Sequence, residues 1–130
     1  MRSGEVWWAR LDGRTPVVLL GDDRAIRVVE PATDDQRRGF LLLTGAEAAD
    51  DETRERMLAA AGPSIIATGA EVGIAGLGVV RVAFPRGGKI FCTWETALTG
   101  DDLIERIAVL PADTRRQLEI VLRLAGPQPG

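Results

Sequence analysis

Side chains able to do chemistry are few in this chain. Histidine is absent and Cys92 is the single cysteine, which removes Ser-His-Asp triads, Cys-His dyads, histidine-assisted nuclease chemistry and histidine metal sites together. Any catalysis must run on Arg, Lys, Asp, Glu, Ser, Thr or backbone groups. The most pointed pairing of these is Arg14 with Thr15, set between two apolar runs in "GEVWWARLDGRTPVVLL", residues 4–20. A guanidinium is a permanently charged fork that fits phosphate oxygens, and a hydroxyl can donate to the same group. The pair reads as an anion site at the mouth of a hairpin, against the plainer reading of a solvated loop charge. Arg37 and Arg38 in "QRRG" offer a second pair of phosphate-binding charges, whereas Arg115 and Arg116 in "TRRQ" read as the polar face of a helix.

The rest of the composition bounds what such a site can serve. With 130 residues the chain has room for one compact domain. Its 16 basic and 19 acidic side chains give a net charge of -3, so bulk attraction to nucleic acid is excluded and any nucleic-acid site must be local. Cys92 lies in the apolar stretch "KIFCTW", where a buried structural thiol is expected rather than a nucleophile. No apolar run is long enough to span a membrane, and "MRSGEVWW" lacks the apolar segment of a signal peptide; the expected address is the cytoplasm. "GIAGLG", 73–78, lacks the Lys-Ser/Thr ending of a phosphate loop and reads as tight turns.

The elements that must position these residues start with a hairpin. "EVWWARL" (5–11) and "PVVLL" (16–20) are β-branched and aromatic runs separated by "DGRT". Trp7 and Trp8 point to opposite sides of the first strand, with core or a partner interface as the expected surroundings of both. "AIRVVEP" (25–31) is a third strand, and "GFLLLTG" (39–45) is a fourth strand or an apolar plug. A helix is expected over 49–61, with Asp50 or Asp51 as its N-cap. "VVRVAFP" and "KIFCTWETAL" read as a strand pair joined by the turn at 86–88, and "DDLIERIAVL" as a short helix capped by Thr99 or Asp101. The strongest element is the last, a helix with Pro111 at its first position and Leu118, Val121, Leu122 and Ala125 along one face. Short strands with a C-terminal helix laid against them make an α+β, barrel-like twisted sheet.

This order of elements, with "GEVWWARLD" and a proline-led strand first, a strand ending "VVEPAT", then "GKIFCTWETAL", "DDLIERIAVL" and "LPADTRRQLEIVLRLAG", resembles the MazF/PemK family of toxin endoribonucleases. The resemblance covers roughly two thirds of the chain and leaves 36–66 as an insertion carrying the helix at about 50–61; residues 1–126 then form one domain and 127–130 a tail. It implies an SH3-like barrel of the MazF/PemK/CcdB kind, a homodimer, and metal-independent cleavage of single-stranded RNA without a cofactor. A cognate antitoxin peptide would lie across the same groove. In the family an arginine stands immediately before the proline of the second strand; here Thr15 holds that position and Arg14 precedes it. Thr33, ending "VVEPAT", matches the family's threonine within a residue, and Asp34 or Asp35 is placed to act on protons nearby. The resemblance thus makes Arg14 and Thr33 the catalytic candidates and Thr15, Asp34, Arg37 and Thr93 the substrate-binding ones. Another branch of the family uses an arginine and an aspartate on a later strand, where this sequence has Phe91 and Thr93.

Two functions follow as expectations: a sequence-specific ribonuclease, or a catalytically degenerate member of the same family that binds or regulates. The displaced arginine and the insertion favour the second. Inhibition of DNA gyrase, as in the related CcdB toxins, has no residue here to support it.

Overall fold

A computed structural model describes residues 3–21, 23–35, 40–61, 67–74, 76–84 and 95–125. The chain opens with the expected hairpin, β1 (Glu5–Arg10) and β2 (Arg14–Leu19), and continues through β3 (Arg24–Arg27) and β4 (Phe40–Thr44). Helices α1 (Gly45–Ala49) and α2 (Asp51–Ala60) follow, then β5 (Ala67–Ile74), β6 (Gly78–Phe84), β7 (Glu95–Ala97), β8 (Leu103–Val109) and the C-terminal helix α3 (Ala112–Ala125). The architecture is α+β. Five strands in the order β7-β3-β2-β1-β8 make an antiparallel sheet, and three in the order β4-β5-β6 make a second, in which β4 runs parallel to β5. Among the described residues no closed barrel forms.

Both faces of β2 are buried, which explains its unbroken apolar run. Val18, together with Val6, Ile26 and Val28, faces the second sheet and meets Leu43, Val72, Val80 and Val82 in the main core. Val17 and Leu19 point the other way, into a smaller cluster with Ala9, Ala25 and Leu98. Helix α3 closes the main core with Leu118 and Val121, and α1 lies against it through the buried Gly45, where any Cβ would strike the Gln117 side chain.

The sheets are tied where the chain leaves β3. Val29 and Val79 exchange backbone hydrogen bonds of 2.8 and 2.7 Å. Gly78 makes this approach possible: its φ is +141°, and a Cβ there would sit 2.4 Å from the Val29 carbonyl oxygen.

Several expectations need correction. Residues 103–109 are a strand on β1, not a helix, and Thr99 caps only the single turn Gly100–Asp102. The register places Trp8 opposite Glu105 and Ala9 opposite Leu103, so Ile104 is an extra residue; Ile107 is another. These bulges break the alternation of apolar residues and leave a spacing that imitates a helix. Strand β6 pairs with β5, and the described part of "KIFCTWETAL" pairs with β3, so the two runs are not partners there. The stretch 36–66 contributes β4 to the second sheet rather than only an added helix. Pro111 stands one residue before α3, its carbonyl accepting from the Arg115 N–H at 2.9 Å.

Local signals account for the helix starts. Thr44 and Glu47 form a reciprocal capping box on α1, and the Asp50 carboxylate accepts from the Thr53 N–H at 3.1 Å to start α2. Among the described residues no helix is long and apolar enough to cross a membrane.

Candidate functional site on the hairpin face

The turn of the hairpin is Leu11–Asp12–Gly13, with Asp12 at φ 54° and Gly13 at φ 110°. Gly13 supplies that conformation freely, and aspartate tolerates it better than most residues. This three-residue turn lets β2 begin at Arg14 instead of Pro16. Arg14 and Thr15 are therefore strand residues, and consecutive strand residues face opposite ways.

The two candidates do different things as a result. Thr15 donates its hydroxyl to the Leu11 carbonyl at 3.1 Å, closing the turn from the far side. Arg14 shares a face with Trp8, Arg10 and Pro16, which the register sets opposite one another in pairs. Its Cζ lies 4.8 Å from the centre of the Trp8 ring, and its Nη2 donates to Glu105 Oε2 at 3.3 Å. Arg14 thus spans β1, from β2 to β8, using the indole as a floor. The Arg14 and Glu105 side chains are 54% and 68% exposed. A guanidinium carries five N–H donors, so most of this one's capacity remains open to an anion.

Thr33 has a different anchor. Past the Val29 bridge the chain crosses the second sheet over an ion pair between Glu71 on β5 and Arg81 on β6, which face each other in register. Arg81 donates to Glu71 Oε2 from Nε at 3.0 Å and from Nη2 at 2.8 Å, and Nη2 also reaches the Glu30 carbonyl at 3.1 Å. The same carboxylate oxygen accepts from the Ala32 N–H at 3.1 Å. This pair is largely buried and fixes residues 30–32, leaving Thr33, Asp34 and Asp35 exposed beyond it. No hydrogen bond joins Arg14 to Thr33. Arg37 and Thr93, like Cys92 and Trp94, lie outside the described residues.

Glu105, Glu71 and Arg81 were not singled out from the sequence. Glu71 and Arg81 did carry a signal: each is a lone charge inside an apolar run, "GAEVGI" and "VVRVAF", of opposite sign and on adjacent strands. Glu105 carries none, because the bulged run 103–109 imitates helical spacing. Among the described residues no three His, Cys, Asp or Glu side chains cluster as a metal site.

The fold and this face define an α+β protein with an exposed arginine–tryptophan–glutamate row on its larger sheet. No family model matches the chain, no curated protein matches it, and no solved structure matches it.

Proposed function

We propose that this protein is a MazF/PemK-like endoribonuclease toxin of a toxin–antitoxin system, cutting single-stranded RNA without a metal. The observation that carries the reading is Arg14: a half-exposed guanidinium held over an aromatic ring, with donors that no other described residue takes, at the start of β2. In the proposed reaction the substrate 2'-OH attacks the adjacent phosphorus. The new P–O2' bond forms as the P–O5' bond breaks, the 2'-OH proton passes to a base, and the leaving 5'-oxygen takes up a proton. The products are a 2',3'-cyclic phosphate and a 5'-OH. Arg14 stabilises the charge that builds on the phosphoryl oxygens, and Thr33 donates to the same phosphate when RNA draws the two together. DNA, without a 2'-OH, binds at best. The barrel-like homodimer and the antitoxin peptide belong to this reading, as does a cytoplasmic site of action.

Incubation of the purified protein with a long mixed-sequence RNA in excess EDTA tests it. Discrete products with cyclic phosphate ends, lost in Arg14→Ala and in Thr33→Ala, are expected. Intact RNA at high protein concentration removes the enzymatic reading.

A second reading has its own observation: Arg14 and Thr33 are anchored on different sheets, by Glu105 and through the Glu71–Arg81 pair. A chain that keeps this separation binds RNA without cutting it and acts as a binding or regulatory module of the same fold. RNA retained without cleavage, and released by Arg14→Ala, is its signature.

A further inference from the structure

We infer that the Trp8–Glu105 face is a guanine subsite, in which Arg14 occupies the seat of the base when no RNA is bound. The inference deepens the RNA reading above and rests on it for the class of ligand.

The argument begins with what Arg14 is doing. Its guanidinium is a flat group lying over an indole, 4.8 Å from the ring centre, with an N–H directed at a carboxylate 3.3 Å away. A guanine base has the same two properties. It is flat and stacks on indole, and its Watson–Crick edge carries N1–H beside N2–H, two parallel donors on an N–C–N unit like those of a guanidinium. Single-stranded RNA is read in this way, by stacking bases on aromatic side chains and hydrogen-bonding their exposed edges.

The acceptor chooses the base. A carboxylate offers only lone pairs, so the edge it takes best has two adjacent donors. Adenine places the N1 lone pair beside its amino group, cytosine places N3 there, and uracil flanks N3–H with two carbonyl oxygens. Guanine alone presents two donors side by side. An amide at position 105 would turn one acceptor into a donor and remove the discrimination.

Displacement of Arg14 then has a use. Freed from Glu105, the guanidinium remains on the same sheet face as Arg10, its direct partner across the hairpin. The two cations at the hairpin end face the phosphates flanking a base seated on Trp8. The exchange trades one guanidinium–carboxylate contact for a base–carboxylate fork and an arginine–phosphate contact. Both Arg14 and Glu105 are exposed enough for it to proceed without opening the core.

The experiment titrates the intact protein with the four ribonucleoside 3'-monophosphates, which carry no scissile bond, and follows indole N–H signals by NMR. Guanosine 3'-monophosphate should bind about tenfold more tightly than the other three, the scale of one bidentate base contact, and should move the Trp8 signal more than that of Trp7. Glu105→Gln should abolish the preference while leaving the fold intact, because the side chain is on the surface. Equal affinity for all four nucleotides overturns the proposal, as does a guanosine preference that survives in Glu105→Gln or in Trp8→Leu. Guanosine-selective binding by a protein that leaves RNA uncut supports the subsite while removing the nuclease. Cleavage of RNA by a protein without base preference at Trp8 does the reverse.

Discussion

The larger sheet carries two tryptophan–arginine–glutamate groups, one on each face, and they have opposite characters. On one face Glu5 accepts from the Trp7 indole N–H at 3.2 Å and from Arg106 at 3.2 Å. That carboxylate is 11% exposed, and Trp7 packs on the smaller apolar cluster. On the other face Glu105 accepts from Arg14 alone among the described residues, and the indole of Trp8 is covered by a guanidinium. The same three residue types form a closed structural contact when the carboxylate is buried and shared. They form an exchangeable surface when it is exposed and singly used. Two neighbouring tryptophans serve both groups, because consecutive strand residues face opposite ways.

The Glu71–Arg81 pair extends the closed type to its limit and carries the largest expected effect. Arg81→Ala removes the charge partner of a buried carboxylate and one tie on residues 30–32. Breaking a buried pair from one side costs about 3–5 kcal/mol. We expect a loss near the lower figure by denaturant unfolding, because Glu71 keeps the Ala32 amide. A loss below about 1 kcal/mol, the range of surface pairs, would mean that the pair does not anchor the crossing segment.

Next in size is the direct comparison of the two sheet faces. Glu5→Ala strips the acceptor from the Trp7 indole and from Arg106, and should cost about 1–3 kcal/mol, the range for a buried group left without its partner. Glu105→Ala should cost no more than about 1 kcal/mol, as exposed ion pairs do. Equal losses, measured by the same unfolding curves, would erase the distinction between a structural and an exchangeable group. They would also weaken the case that Arg14 is free to leave.

How much of this was legible beforehand depends on where the controlling information lay. The hairpin, the α2 cap and the amphipathic face of α3 are local patterns: the two strands pair as expected with β2 starting two residues early, Asp50 is the cap of the two candidates Asp50 and Asp51, and the α3 face buries Leu118 and Val121. The opposite orientation of Trp7 and Trp8 followed from strand geometry alone. The fate of Arg14 depended on the turn: once Asp12 and Gly13 take positive φ, β2 starts two residues earlier and separates Arg14 from Thr15. Strand β8 was hidden because its bulges exist only in relation to β1. Glu105 was hidden with it, so one of the three residues of the candidate site was a matter of pairing and not of local sequence. The pairing of β6 with β5 was equally non-local.

The smallest expected effect asks whether exposure alone makes a carboxylate exchangeable. Asp50, like Glu105, is exposed, yet it is tied by short-range bonds: the Thr53 hydroxyl and the Thr53 N–H both donate to Oδ2. Those bonds, the side-chain one first, hold its pKa below the ordinary 3.8, with lesser help from Arg56 and Arg54. A depressed carboxylate pKa stabilises the fold above the unfolded value and loses that contribution as pH falls through the folded one. The start of α2 should therefore persist at pH 4 and fray only in stronger acid, as read from the Thr53 amide shift. Asp50→Asn keeps an N-cap acceptor without the charge, so the helix should remain and the acid-dependent part of its fraying should vanish. A Thr53 amide that titrates above 3.8 would contradict this. It would mean that the Thr53 bonds do not hold the Asp50 carboxylate, and exposure alone would then be enough to make a carboxylate exchangeable.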